Sequence, residues 1–585
     1  MGCRTDHSQE SWLPTSAQEI KALGWDRADI IIITGDAYVD HPAFGAAIMG
    51  RLGEQAGLRV AVLPQPNWRD DLRDFKKLGK PRLFFGVTAG NMDSMINHYT
   101  ALKRIRSDDN YTPGGKAGFR PDNATAVYTK ILKKIFPETP VIIGGIEASM
   151  RRLTHYDYWS DSLKPSIIAE SGADMLLYGM AEQPFMQIAS LLNRGVPLKS
   201  LTNIKQTAFF ASDPGKIQSL KNSKDITIPS FENCKKSKKE FAKAFKITEE
   251  SSNMINQPRL IQKTGNMFVV INPPYPAPDE KQIDKIYDLP FTRLPHPRYK
   301  NKPPIPAYEM IKHSVTLHRG CFGGCSFCTI SAHQGKFITS RSAKSILNEV
   351  KEISKTAGFK GHITDMGGPT ANMYKMSGFD ENVCKKCSRP SCIFPNTCKN
   401  LNFDHAPLIK LYQKAISTEG IKKITIGSGV RYDLIVKKNK EISKRFSLDK
   451  YAKLLIKKHV SGRLKVAPEH ISEKVLRLMR KPSFNYYKEF DALFRRTCIE
   501  NKLKQELVPY FISGHPGSSS DDMEKIKEVM SGFIFDKKLV QEFTPTPMTL
   551  SAVIYYTGID PYTGEKVSTP KKPWKKRQQK NQLMS

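Results

Sequence analysis

The 585-residue chain has no apolar run approaching the ~20 residues that span a bilayer. Its longest runs, IIIIT at 30–34 and VIIGG at 141–145, have the length of buried strands in a parallel sheet, and no membrane partner is expected. The opening residues, MGCRTDHSQESW, lack an apolar core and a cleavage site, so secretion is not expected and the chain is placed in the cytoplasm. Gly2 has Asp6 where a myristoylation signal wants Ser or Thr. Acidic residues are scarce, 57 against 91 Lys and Arg, for a net charge of +34. That excess suits a polyanionic partner such as RNA, or lysines spread over solvated helix faces. The basic tail KKPWKKRQQK, 571–580, shows no helical period and reads as a disordered end. Cysteine is nearly absent outside one region: of ten, only Cys3, Cys234 and Cys498 lie beyond 321–398. In a chain with no secretory signal such crowding argues for metal rather than disulfides.

From Trp25 to about Leu192, short apolar runs at 28–36, 58–66, 81–90, 139–148 and 173–183 alternate with helical stretches. This pattern predicts a doubly wound parallel sheet, with ligands at the carboxyl ends of the strands. Gly35, Asp36, Gly144, Gly145, Gly179 and Glu182 fall at those ends, as ligand contacts or as tight turns. A second alternating unit begins near 312, with strands expected at 313–320, 360–368, 422–429, 462–469, 505–513 and 538–545. Six such units predict a partial or full (β/α) barrel with its active site at the C-terminal strand ends. The expected organisation is an arm at 1–24, an α/β domain at 25–212, and a basic insertion and Pro-rich linker at 213–300. The barrel follows at 301–550 with a Cys-rich insertion at 367–404, then a C-terminal extension at 551–585.

Just past the first barrel strand, GCFGGCSFC sets Cys321, Cys325 and Cys328 in a CxxxCxxC spacing. A structural zinc closes its tetrahedron with four ligands, so zinc here would need His318 or His333 as a fourth. A 4Fe-4S cluster held by three thiolates instead leaves one iron open, which is what a catalytic centre keeps. Glycines around the loop let backbone wrap a bulky cluster, with Phe327 shielding its face. Further on, Cys384, Cys387, Cys392 and Cys398 form CxxCxxxxCxxxxxC, four thiolates for a closed site holding zinc or an auxiliary iron-sulfur cluster. That insertion would hang over the barrel mouth as a gate, a substrate contact or a structural staple.

CxxxCxxC with an aromatic before its last cysteine, after the first strand of a βα barrel, resembles the radical S-adenosylmethionine (SAM) superfamily. DMGGPT, 365–370, looks like that superfamily's glycine-rich strand, with Gly367 and Gly368 in place and Pro369 where an acidic residue is usual. The longer stretches ITGDAYVDHPAFG, GGIEASMRRLTHYDYW, DMGGPTANMY, VAPEH, PYFISGHPGS, EFTPTPMT and YYTGIDPYTGE resemble the YgiQ family of radical SAM proteins. The resemblance implies a 4Fe-4S cluster that chelates SAM at its open iron. One-electron reduction then cleaves SAM to methionine and a 5′-deoxyadenosyl radical, with the electron supplied by a donor of flavodoxin or ferredoxin type. Gly367 and Gly368 would hold the methionine end of SAM; Ser428, Arg431 and Glu469 either reach its ribose or carboxylate or are structural residues of the barrel rim. A doubly wound domain ahead of such a barrel resembles cobalamin-binding domains. However, DHPAFG, 40–45, departs from their DxHxxG and makes His41 a poor cobalt ligand, which leaves cobalamin bound without a lower histidine, or a vestigial or substrate-binding domain.

The expected function is radical chemistry on an unknown substrate, with methyl or methylthio transfer to RNA or protein suggested by analogy. The competing readings are a non-catalytic iron-sulfur or zinc protein that binds nucleic acid, and a redox sensor signalling by cluster loss.

Overall fold

A computed structural model describes residues 12–218, 220, 223–437, 439–533 and 539–584; Gly2, Cys3 and the first residue of the last expected strand, Lys538, lie outside them. The chain forms two compact units. One comprises 1–244, 256–276 and 285–312; the other 245–255, 277–284 and 313–585.

The first unit is built on nine strands: β1 Ile30–Thr34, β2 Val60–Pro64, β3 Phe84–Thr88, β4 Val141–Ile143, β5 Met175–Leu177, β6 Thr207–Ala211, β7 Asp225–Ile228, β8 Arg259–Thr264 and β9 Met267–Ile271. Their order in the sheet is β2-β1-β3-β4-β5-β6-β9-β8-β7. The first five are parallel, with Ile30 opposite both Val60 and Phe84. Every residue of IIIIT is buried, as a central strand covered on both faces requires. These five strands lie inside the five apolar runs of the sequence.

Beyond β5 the sheet continues through antiparallel β6, β9 and β8, then β7 parallel to β8. The stretch 213–300, expected as insertion and linker, thus contributes three sheet strands. LIQKTGNMFVVI is a hairpin turning at Gly265, and the polar QKTGN at its turn leaves each apolar run too short to stand out. KKSKKEFAKAF belongs to helix Lys238–Ser252, which buries Phe241, Ala244, Phe245 and Thr248, an i, i+3, i+4, i+7 stripe diluted by lysines.

The second unit carries six parallel strands: β10 Ser314–Thr316, β11 Asp365–Gly367, β12 Lys423–Ile424, β13 Arg463–Glu469, β14 Glu506–Ser513 and β15 Val540–Glu542. β10 pairs with β11, the residues just ahead of β11 (His362, Ile363) pair with β12, and β13, β14 and β15 form a continuous ladder. This is the expected partial barrel. Its core joins strand residues such as Val315, Ile363, Met366 and Val466 to Ile346, Val350 and Ile353 of helix Ala343–Ser354.

The basic tail is not a disordered end. It forms helix Pro573–Met584, whose Lys576, 1% exposed, donates to the Phe543 carbonyl at 3.1 Å. Gln579 accepts from the Gly514 amide and the Ser518 hydroxyl and donates to the Ser518 carbonyl. Polar groups meeting backbone, rather than an apolar stripe, fasten this helix, so hydrophobic periodicity carries no signal of it. Among the described residues no helix is long and apolar enough to cross a membrane.

Candidate metal centre

The loop from Gly320 to Cys328 leaves strand His318–Arg319 and is pinned from several directions. Ser326 donates its amide to the Met479 carbonyl, accepts the Ser551 amide on its own carbonyl, and shares a 2.7 Å hydroxyl contact with Ser551. His515 reaches the same Ser551 hydroxyl at 2.7 Å, and Phe327 packs edge-on against the His515 ring. Gly324 has φ +62°, and a Cβ there would collide with the Pro390 carbonyl. The three thiols it presents are electrostatic neighbours: Cys325 bears on both Cys321 and Cys328. Burial pushes the Cys328 thiol up to about 12 and raises Cys321. Thiolates here therefore want a positive partner, and iron is one.

Arg431 supplies part of that charge. Its guanidinium forks onto Asp433 at 2.8 and 2.7 Å, and its remaining Nη1 donates to Cys325 Sγ at 3.4 Å. Both partners are largely buried; Asp433 is held below the usual carboxylate range despite desolvation, by Arg431. The structure thus sets Arg431 beside the middle cysteine of the three-cysteine loop. A Cβ on Gly323 would stand 3.2 Å from Arg431 Nη1 and 3.3 Å from Cys321 Sγ, so backbone has to approach closely there.

At the end of β11, a Cβ on Gly367 would come within 2.8 Å of the Ser428 hydroxyl, and one on Gly368 within 2.7 Å of His318 Nε2. Ser428 is oriented by Asp365, which accepts from the Ser428 hydroxyl and amide and from the Gly427 amide. Glu469 ends β13 at a bulge with φ +70°, buried, 3.8 Å from Lys481, its pKa raised by desolvation; it bears electrostatically on Cys328. The five sequence candidates thus gather around one loop and three strand ends. Asp365, Asp433, Lys481 and Thr370, whose hydroxyl lies 3.6 Å from Cys321 Sγ, were not singled out from sequence. Asp365 stands inside DMGGPT and Asp433 two residues beyond Arg431, so both lay beside named candidates; only contacts reveal their roles. His318, a candidate fourth zinc ligand, turns Nε2 to the Thr370 carbonyl at 2.8 Å.

The second cysteine group packs against this same loop. The Cys392 amide donates to the Phe322 carbonyl at 3.0 Å, and the Ser391 hydroxyl donates to the Gly323 carbonyl at 2.8 Å. Phe322, Ile393, Leu401 and Phe403 form an apolar cluster flanked by Cys321, Cys392 and Cys398. Cys384, Cys387, Cys392 and Cys398 are free thiols.

In the first unit the expected strand-end residues are tied into the fold. Asp36 is buried with Arg120 at 2.9 Å, and Arg120 also pairs with Asp109. Desolvation raises Asp36 to about 6. His41 is 2% exposed, one ring nitrogen 3.1 Å from the Ala43 amide and the other 2.9 Å from Arg293 Nη2. Neither nitrogen is available to cobalt, so a lower histidine ligand does not fit here. Glu182 opens helix Glu182–Asn193, and the Gly179 amide donates to Ser149.

A partial parallel barrel bearing a three-cysteine loop at its first strand defines a radical SAM protein. Residues 12–314 match the Radical SAM N-terminal family and residues 315–530 the Radical SAM superfamily, a division at the border between the two units. The chain belongs to the UPF0313 family, known also as the YgiQ family. It is 54% identical over 573 residues to a UPF0313 protein of Porphyromonas gingivalis, covering 98% of this chain and 90% of that one. A UPF0313 protein of Bacteroides thetaiotaomicron is 52% identical over 571 residues, covering 96% and 92%. Among solved structures, the radical SAM methyltransferase TsrM of Kitasatospora setae, with tryptophan substrate and a SAM analogue bound, aligns over 88% of this chain and 74% of its own. The identity is 12% and the TM-score 0.46. The cobalamin-dependent SAM radical enzyme OxsB aligns over 91% and 56% at 9% identity and a TM-score of 0.46. The superfamily's cofactors are a 4Fe-4S cluster and SAM.

Proposed function

We propose that Cys321, Cys325 and Cys328 hold the 4Fe-4S cluster and that the chain is an enzyme using it on a macromolecular substrate, RNA or protein, for methyl or methylthio transfer. The observation that carries the reading is the placement of Arg431. A buried, always-charged guanidinium donates to one of three clustered thiols and is itself held by Asp433. The donor set fits: three soft thiolates without a fourth, close backbone at Gly323, and a hydrogen bond to sulfur.

When bound, the cluster and SAM supply one-electron cleavage of the sulfonium and a 5′-deoxyadenosyl radical. The chain's own residues position and shield. Ser326, Ser551 and His515 pin the loop, so the thiols keep a fixed spacing. Gly367 and Gly368 bring bare backbone to the strand end beside Ser428, suited to the polar methionine end of SAM. Glu469, with Lys481, offers a carboxylate on the Cys328 side for a hydroxyl or amino group of the nucleoside. The net charge of +34 favours a polyanionic substrate.

The test is anaerobic reconstitution with iron and sulfide, reduction by dithionite with SAM, and assay of 5′-deoxyadenosine, with a C321A/C325A/C328A variant alongside. Nucleoside from wild type alone supports the reading; a loaded chain that binds no SAM overturns it. Isotope from methyl-labelled SAM is then followed into RNA and protein pools. Label in neither pool overturns the transfer assignment.

A further inference from the structure

The second cysteine group faces two ways. Inward, the Cys392 amide and the Ser391 hydroxyl bond to the carbonyls of Phe322 and Gly323, which lie between Cys321 and Cys325. Outward, Phe379 and Val383 are 52% and 51% exposed, and the Arg445 guanidinium lies 5.4 Å over the Phe379 ring. Lys385, Lys386 and Lys399 are exposed around them, and residues 375–402 hold five basic side chains against two acidic. The four thiols are electrostatic neighbours: Cys387 and Cys398 bear on both Cys384 and Cys392. Asn400 Nδ2 donates to Cys384 Sγ at 3.3 Å, and a Cβ on Gly378 would stand 2.5 Å from that sulfur. The Cys387 amide closes onto the Cys384 carbonyl at 3.1 Å, and the Cys398 amide onto the Cys392 carbonyl at 2.8 Å. Lys336, 3% exposed and anchored on the Arg389 carbonyl, bears its charge on Cys384 and Cys392.

We propose that Cys384, Cys387, Cys392 and Cys398 hold a second iron-sulfur cluster through which a small acidic electron carrier, docked on the basic face around Phe379 and Val383, reduces the cluster at Cys321, Cys325 and Cys328. The proposal rests on the reading of the first three cysteines given above. Four thiolates suit zinc and iron-sulfur alike, but zinc has no redox states. A site lying between a basic, apolar-centred surface and the backbone of the first loop is placed for electron transfer, and a buried lysine steadies the state that carries one more negative charge. The electron count balances. A reduced carrier of flavodoxin or ferredoxin type loses one electron, the second cluster gains it and is reoxidised as the first is reduced. No bond or proton changes hands. Opposite charge on the two faces steers encounter, and exposed apolar side chains at the centre give the contact its dry core.

The experiment uses the full chain, reconstituted anaerobically. In the C321A/C325A/C328A variant, about half the iron and sulfide of wild type should remain, since one of two Cys-bound clusters is kept. Dithionite should then develop an EPR signal that SAM leaves unaltered. Zinc in place of iron, or a folded variant retaining no iron, overturns the proposal. A second variant, K385E/K386E/K399E, leaves every cysteine in place. Its rate of 5′-deoxyadenosine formation with reduced flavodoxin, divided by its rate with dithionite, should fall about tenfold at subsaturating carrier, and the K385R/K386R/K399R variant should restore it. An unchanged ratio overturns the docking face. If wild type forms no 5′-deoxyadenosine with dithionite, the reading of the first three cysteines fails, and the iron and EPR measurements still decide the second cluster.

Discussion

Arg431→Met should lower the reduction potential of the cluster proposed at Cys321, Cys325 and Cys328. Arg431 Nη1 lies 3.4 Å from Cys325 Sγ. At that distance and an effective dielectric of about 20, a full charge beside the guanidinium is worth ~5 kcal/mol. A cubane spreads its added electron over the whole cluster, so about a quarter to a third of that, ~1.4 kcal/mol, is the share favouring the reduced state. In a one-electron couple this corresponds to about 60 mV. The sign is set by charge: removing a cation destabilises the more negative, reduced state, so the potential moves down. EPR-monitored redox titration of the loaded chain reads it. The same substitution strands Asp433, 6% exposed, without its partner, so folding is lost along with potential. Arg431→Met/Asp433→Asn separates the two effects: stability recovers in part, since no unpaired charge stays buried, while the potential stays down. A midpoint unchanged within ~15 mV, a quarter of a tenfold one-electron step, or shifted upward, would falsify the role given to Arg431.

Gly324→Ala combines a left-handed backbone, φ +62°, with a Cβ driven into the Pro390 carbonyl. It should cost ~2 kcal/mol or more and reduce iron at both cysteine groups together; iron loss confined to one group would contradict the shared packing. Glu249→Ala removes the carboxylate that pairs with Arg480 at 2.8 and 2.9 Å and accepts from the Tyr562 hydroxyl at 2.5 Å. Arg480 is 7% exposed, so urea denaturation should register a loss of about 3–5 kcal/mol, and a loss under ~1 kcal/mol would refute the pairing. His155 and His405 are buried, and desolvation lowers each to about 4. Because the folded values lie below the ordinary imidazole value of 6.5, the unfolded chain binds more protons between pH 6.5 and 4. Their contribution is whole above 6.5 and lost as pH falls toward 4. Urea midpoints should drop across that window, and His405→Gln should flatten the fall; a flat profile in wild type would refute it.

Much of the chain was legible in its sequence because the signals are local. The five parallel strands of the first unit and the six of the second lie inside short apolar runs bounded by turns, since a strand buried on both faces must be apolar throughout. The basic stretches were harder to read. Helix Lys238–Ser252 hides its apolar stripe among lysines, the hairpin of β8 and β9 has only short apolar runs either side of QKTGN, and helix Pro573–Met584 is held by hydrogen bonds to backbone. Hydrophobic periodicity registers only elements fastened by apolar burial.

The candidate centre divides in the same way. Three cysteines in eight residues, and four in fifteen, are patterns of neighbours along the chain, and ligand number marks each as a candidate metal site without fixing the metal. Tertiary structure decided what surrounds them. Arg431 meets Cys325 across 106 residues and Ser391 meets Gly323 across 68. No spacing rule encodes either contact, because each depends on which strand ends and insertions the barrel brings together. The sequence by itself thus determined the donor atoms. The fold decided the charge beside them and joined the two cysteine groups, since contacts between distant segments arise only when packing brings the segments together.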